Sequence, residues 1–135
     1  MGLSRYRLNA FIAVADMTRA GAFYEGKLGL SAVRTDADGS KVYASGGRES
    51  LVVYPSPDHA GRSTATLATW YVDDVEQVVD DLTSRGVAFE HYEGVLESGF
   101  EYGTDEKGIS PRDGGGKVAW FKDPDGNVFS IEGER

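Results

Sequence analysis

The chain has 135 residues, 40% of them hydrophobic and 27% charged, the balance of one domain or two small halves sharing a core. A chain of this size buries roughly two thirds of its unfolded surface, enough for a core without staples. The formal net charge of −8 argues against nucleic acid, which needs dense Lys and Arg, and is compatible with solubility or a cationic ligand. There are no cysteines, hence no disulfides, thiolate nucleophiles or Cys-bound metals, as in a cytoplasmic protein. No apolar run approaches 18 residues, so no membrane span is expected. The opening MGLSRYRLNAF has neither a signal-peptide core nor the Ser/Thr of a myristoylation signal.

Residues 7–14, RLNAFIAV, form an apolar run that suits a buried strand. Asp16 follows as a helix cap, and Ala20, Phe23, Tyr24 and Leu28 recur at helical spacing through TRAGAFYEGKL. Gly29 supplies the left-handed exit. Three strands are expected at Leu30 to Thr35, Lys41 to Ser45 and Ser50 to Tyr54, joined by DADG and GGR turns. PSPDHAGRS reads as a loop.

The order then repeats. TLATWYV (66–72) is a strand, Asp74 a cap, and VEQVVDDLTSR a helix with Val75, Val78, Val79 and Leu82 on its apolar face. Val87 to Tyr92, Lys117 to Lys122 and Asn127 to Glu132 are three more expected strands. Val14-Ala15-Asp16 aligns with Val72-Asp73-Asp74 at an offset of 58 residues, and Gly29 with Gly86 one residue short of that. The expectation is α+β: one domain, 1–135, of two tandem βαβββ modules, about 5–57 and about 64–135, forming a curved mixed sheet around a cup. Glu93 to Gly116 is long for a connection and rich in glycine; it is either a lid, with Phe100 and Tyr102 closing over a ligand, or packing on a rim or dimer interface. There is no GxSxG elbow, P-loop or GxGxxG.

Near the C-terminus, FKDPDGN (121–127) is a tight hairpin: Pro124 presets φ, Asp125 suits the second corner and Gly126 takes positive φ. Together with Asp16…Ala22-Phe23-Tyr24…Leu28-Gly29-Leu30, it makes the chain resemble the vicinal oxygen chelate superfamily over nearly its whole length. That superfamily includes glyoxalase I, bleomycin-resistance proteins and extradiol dioxygenases. The resemblance implies the glyoxalase/bleomycin-resistance fold and a homodimer.

In catalytic relatives a divalent metal sits in the cup. One ligand, usually His, lies seven residues before the capping Asp; a Glu lies three residues after the Asn of the turn. Carried onto this chain, these positions are Asn9, Leu67 and Ser130, with a fourth near Leu51. Leu offers no donor, and Asn and Ser offer weak neutral ones. His59 and His91 fall elsewhere, leaving only a displaced pair, Glu49 and Glu132, as an alternative. No metal or other cofactor, and no catalytic residue, is therefore expected.

Strand parity sorts the side chains. Asn9, Phe11, Ala13, Leu67, Thr69, Tyr71, Val128, Ser130 and Glu132 would face the cup, while Leu8, Ala10, Ile12, Val14, Thr66, Ala68, Trp70, Val72, Phe129 and Ile131 would face the helices. The resemblance places Trp120, with Val118, on the pocket wall. The candidate ligand site is thus Asn9, Phe11, Leu67, Thr69, Tyr71, Tyr102, Val118, Trp120, Ser130 and Glu132. Aromatic walls with a few polar points suit a flat ligand, or else simply fill the cup. The expected function is metal-independent binding of an aromatic or partly cationic small molecule, with antibiotic sequestration as its most concrete form. The alternative is a metal-dependent lyase, isomerase or dioxygenase with a displaced site.

Overall fold

The structure is a computed structural model that describes residues 2–112 and 114–134. The chain divides into two compact units, Met1–Gly61 and Arg62–Arg135.

In the first unit, β1 (Ala10–Val14) alternates as expected: Ile12 and Val14 are buried, and Phe11 is 65% exposed. Leu8, expected in the core, lies before the strand and is 87% exposed. The Asp16 carboxylate caps α1 (Met17–Gly21) by accepting the Thr18 N–H at 2.8 Å and the Arg19 N–H at 3.1 Å.

The expected single α-helix does not continue to Leu28. From Ala22 to Lys27 the backbone widens into a π-helical turn, and the Leu28 N–H donates to the Phe23 carbonyl at 2.9 Å. The extra residue lets the adjacent rings of Phe23 and Tyr24 bury together; Tyr24 stacks on Tyr43 with centroids 6.1 Å apart. It also delivers Glu25, whose Oε2 accepts from Lys41 Nζ and Tyr43 Oη, each at 3.0 Å. The Lys41 bond, then the Tyr43 bond, holds the Glu25 carboxyl below its ordinary range. Burial, reinforced by Glu25, pushes the Tyr43 phenol up. Strands β2 (Ser31–Thr35), β3 (Lys41–Ser45) and β4 (Arg48–Pro55) complete a sheet of order β1-β4-β3-β2, parallel only between β1 and β4.

The second unit repeats that topology with β5 (Thr66–Val72), α2 (Val75–Ser84), β6 (Glu93–Val95), β7 (Glu101–Gly103), β8 (Ile109–Pro111), β9 (Lys117–Lys122) and β10 (Val128–Gly133). Its main sheet has the order β5-β10-β9-β8, and β6 and β7 form a separate hairpin. Among the described residues no helix is long and apolar enough to cross a membrane.

No strand forms over Val87 to Tyr92. The chain there makes one isolated bridge, Phe89 to Phe121, and the Glu90 N–H donates to the Trp120 carbonyl at 2.8 Å. It then leaves the sheet and rejoins in the same register, with Ile109 opposite Ala119, Ser110 opposite Val118 and Pro111 opposite Lys117. The outer strand is thus interrupted, and residues 91–108 are spliced into it. Thr104 closes the excursion on Tyr92: its N–H donates to the Tyr92 carbonyl at 2.9 Å and its Oγ1 accepts the Tyr92 N–H at 3.0 Å, and the Asp105 carboxylate accepts the Lys107 and Ile109 N–H groups at 2.9 Å. The apolar alternation of Val87 and Phe89 gives way to polar residues after Phe89, which is where the ladder is abandoned.

The hairpin between β9 and β10 is pinned by Asp123. Its Oδ1 accepts the N–H groups of Asp125 and Asn127, each at 2.9 Å, and its Oδ2 accepts from Asn127 Nδ2 at 2.8 Å. Asp123 and Asn127 are both buried. The resulting register sets Phe129 opposite Phe121, Ser130 opposite Trp120, Ile131 opposite Ala119 and Glu132 opposite Val118. One face packs on α2, where Val75 and Val79 meet Ile109 and Ala119 with Val72 and Phe89 at the margin. The rings of Trp70, Phe121 and Phe129 stack in the same layer, at 5.5 to 6.1 Å between centroids.

Tyr43 generates a pH prediction. Its folded pKa is raised, so its contribution is complete below the unfolded value near 10 and is lost as pH rises beyond it. Tyr43→Phe is expected to lose about 0.5–1.5 kcal/mol at neutral pH and to show a shallower decline of stability between about pH 10 and 12. Denaturant unfolding across that range checks it; identical slopes in the two proteins would refute it.

Candidate functional site

The other face of the second sheet carries the candidate site. The register aligns Thr69, Ser130 and Trp120 in one row across β5, β10 and β9, with Glu132 and Val118 in the next. Above this face lies a cleft of about 820 Å³, within the range of small-molecule sites.

Three walls close the cleft. Trp120 and Val118 form its floor. The β6–β7 excursion brings Leu96, Phe100 and Tyr102. Tyr102 and Tyr92 flank the Trp120 ring at centroid distances of 6.3 and 5.3 Å. Tyr102 lies across the strand from Gly94, where any Cβ would stand 2.7 Å from the phenol oxygen. The third wall is the turn after β8, carrying Pro111, Arg112 and Gly114.

The polar strip has two parts. Thr69 Oγ1 and Ser130 Oγ share a hydrogen bond of 2.6 Å. Arg112 Nη1 donates to Glu132 Oε1 at 3.1 Å, with the two side chains only 14% and 16% exposed. Arg112 Nη2 makes a long contact of 3.5 Å to the Gly115 carbonyl, and Nε is buried without an acceptor among the described residues. An ion pair at this depth adds little net stability, but removing either partner strands the other's charge.

Of the residues singled out from sequence, the cleft brings together Thr69, Tyr102, Val118, Trp120, Ser130 and Glu132. Leu67 and Tyr71 are 39% and 57% exposed and do not line it. The register between β10 and β5 shifts after Val128, so Val128 faces Thr66, Phe129 faces Ala68, and Leu67 is the extra residue. Thr66, assigned to the helix side by simple parity, lines the cleft instead. Val128, expected to look into the cup, is buried and does not line the cleft. Asn9 and Phe11 belong to the first unit: the Asn9 side-chain oxygen accepts from Arg7 Nη1 at 3.2 Å, and Phe11 tilts against Tyr54 at 5.9 Å. Arg112 was not singled out; its only sequence signal is the triple glycine two residues on, which marks a turn and not a binding residue.

The residues present do not fit a divalent ion. Leu51 is a buried core residue and Leu67 has no donor atom. Ser130 is engaged with Thr69. The two carboxylates of the displaced alternative are each held by arginine: Glu132 by Arg112, and Glu49 by Arg34 at 3.1 Å and Arg7 at 3.4 Å. His59 bonds to Ser56 at 2.8 Å, and His91 is exposed beside Thr104. Among the described residues no three His, Cys, Asp or Glu side chains are grouped to hold a metal.

Over residues 7–131 the chain matches the model of the Glyoxalase/Bleomycin resistance protein/Dioxygenase superfamily, and it belongs to that superfamily. Among solved structures it is similar to a glyoxalase family protein from Enterococcus faecalis, with 19% identity over 96% of this chain and 98% of that one and a TM-score of 0.69. It is also similar to FosX, a genomically encoded fosfomycin resistance protein from Listeria monocytogenes, with 14% identity over 96% and 93% of the two chains and a TM-score of 0.68. A third is TnmS3, an antibiotic binding protein from Streptomyces sp. CB03234, with 22% identity over 97% and 98% and a TM-score of 0.64. At these identities the likeness is one of fold. No curated protein matches the chain.

The Arg112–Glu132 pair depends on Gly116. The Arg112 N–H donates to the Gly116 carbonyl at 3.1 Å, Gly116 has φ +114°, and a Cβ there would lie 2.8 Å from Arg112 Nη2. Gly114, at φ +87°, has nothing within 4 Å of its Cβ position. Gly114→Ala is therefore expected to cost about 1 kcal/mol of backbone strain alone. Gly116→Ala is expected to cost about 2–4 kcal/mol, because it also displaces the guanidinium from Glu132. Urea unfolding of the two variants checks this, and equal losses would show that Arg112 is not held in place.

Proposed function

We propose that the second-unit cleft binds a small, flat aromatic molecule without a metal ion, and that sequestration of an aromatic antibiotic is its use. The observation that carries the reading is the Trp120 floor flanked by Tyr92 and Tyr102, in a cleft whose polar groups suit hydrogen bonding and not chelation. Membership of the superfamily supports it, as do structural neighbours described as an antibiotic binding protein and a fosfomycin resistance protein.

Magnitudes favour a ligand that uses both the ring wall and the polar strip. An aromatic body burying about 200 Å² gains about 5 kcal/mol from area, and stacking adds about 0.5–1.5 kcal/mol. Micromolar affinity needs about 8 kcal/mol. The remainder has to come from hydrogen bonds to the strip. A cationic group on the ligand has a weaker claim than the sequence suggests, because Arg112 already neutralises Glu132.

Isothermal titration against a panel of polycyclic and cationic antibiotics tests the proposal. The expected result is one site per chain at micromolar affinity or tighter, unchanged by chelator and weakened at least about tenfold by Trp120→Ala. Nothing tighter than millimolar would sink it. Stoichiometric zinc, nickel, iron or manganese in protein purified without chelator, lost on Glu132→Gln, would instead favour the metal-dependent enzyme.

A homodimer belongs to the same proposal. It is supported by exposed apolar side chains on each unit, Leu8 and Phe11 on the first and Leu67 and Tyr71 on the second. Light scattering is expected to give twice the 14.6 kDa chain mass; a monomer at all concentrations would refute it.

A further inference from the structure

We infer that Arg112 is the specificity residue of the cleft and that the preferred ligand is a neutral aromatic carbonyl compound, its ring on Trp120 and its carbonyl oxygen accepting from the guanidinium. This deepens the binding function proposed above and rests on it.

A guanidinium carries five N–H donors and no acceptor. Among the described residues the Arg112 group meets one oxygen of Glu132 at 3.1 Å and one backbone carbonyl at 3.5 Å, and its Nε is buried with no acceptor. A buried, unpaired donor on a charged group is costly, and the described residues supply no further oxygen for it. The group sits at the base of a turn with three consecutive glycines, one of which, Gly114, lines the cleft. A small rotation of the guanidinium on this turn presents its spare donors to an oxygen brought by the ligand.

The charge of that oxygen follows from Glu132. A carboxylate on the ligand, placed to meet Arg112, also faces the Glu132 carboxylate bound to the same guanidinium. An ammonium placed to meet Glu132 faces Arg112. The ion pair therefore disfavours full charges of either sign while offering strong donors to a dipole. A hydrocarbon of the same shape fills the cleft but leaves Nε unpaired. A carbonyl conjugated to an aromatic body satisfies both demands: it is neutral, it is a strong acceptor, and its ring lies flat on the indole.

Three naphthalenes of similar size separate the possibilities by quenching of tryptophan fluorescence: 2-acetonaphthone, 2-ethylnaphthalene and 2-naphthoate. The wild-type protein is expected to bind the ketone at least about tenfold more tightly than either of the others, the worth of one hydrogen bond to a charged donor. Glu132→Gln is expected to tighten 2-naphthoate at least about tenfold by removing the repulsion. The double variant Arg112→Met/Glu132→Gln keeps the cleft filled and leaves no unpaired charge. It is expected to hold 2-ethylnaphthalene within about threefold of wild type and to lose its preference for the ketone. If it fails to fold, Arg112→Lys takes its place: the charge stays, the planar fork is gone, and the ketone preference is expected to fall at least about threefold.

Equal wild-type affinity for ketone and hydrocarbon overturns the inference, as does tightest binding of the naphthoate. A ketone preference that survives the loss of Arg112 overturns its assignment. Each of these leaves the aromatic cleft standing as a ligand site. Binding of none of the three overturns the inference and the proposed function together.

Discussion

The buried carboxylate of Asp123 governs the second unit. Its three hydrogen bonds to the turn that follows fix how β10 returns along β9. Bonds to a charged acceptor contribute about 1.5–3 kcal/mol each, so a competing turn has a large deficit to overcome. The register they set decides two surfaces at once. Phe121, Phe129 and Ile131 go to the helix side; Trp120, Ser130 and Glu132 go to the cleft. A slip of one residue exchanges the two sets, burying a carboxylate under α2 and putting the core rings into the cleft. Core and site are therefore specified by one local interaction.

The cleft is completed by an interruption. The strand that begins at Phe89 and Glu90 resumes at Ile109 without losing register, so the sheet keeps its outer ladder while 18 residues, 91–108, leave it. Those residues supply Leu96, Phe100 and Tyr102, and the turn just after the resumed strand supplies Arg112. The module stays a four-stranded sheet, and residues that shape the cavity ride on a segment whose length the sheet does not constrain. This is the arrangement expected when many ligand chemistries share one fold.

What was legible in the sequence is what depends on local rules. Asp16 and Asp74 cap helices because a short carboxylate before an apolar run has few other uses, and alternation from Val128 to Glu132 reads directly as two faces. The features that escaped reading depend on partners distant in sequence. Val87 to Tyr92 has strand composition, yet the outer edge of β9 is filled by Ile109–Pro111 beyond Glu90, a competition that composition does not reveal. The π turn at Ala22–Lys27 answers to the demands of Tyr43 and Lys41, both on β3. Leu67 shifts the parity of β5 at one position, which puts Thr66 on the cleft and leaves Leu67 outside it. Arg112 is one of fourteen basic residues, and only its distant pairing with Glu132 distinguishes it.

That pairing bears on how the superfamily fold is used here. A metal site in a cup organises ligands by chelation: a dication sits on carboxylate and imidazole and draws two oxygens to itself. In this chain the carboxylate of the cleft is already met by a resident cation, Arg112. A dication about 4 Å from a guanidinium is repelled by about 8 kcal/mol at an effective dielectric of 20, which cancels what one carboxylate returns at the same distance. Paired with Arg112, Glu132 is a poor ligand for a divalent ion. Under the proposed function, selection passes from a charge delivered by an ion to donors built into the turn at Arg112. A ligand is then chosen by the dipole it offers and the ring it lays on Trp120, and the Gly114-Gly115-Gly116 turn becomes as much a part of the site as the sheet beneath it.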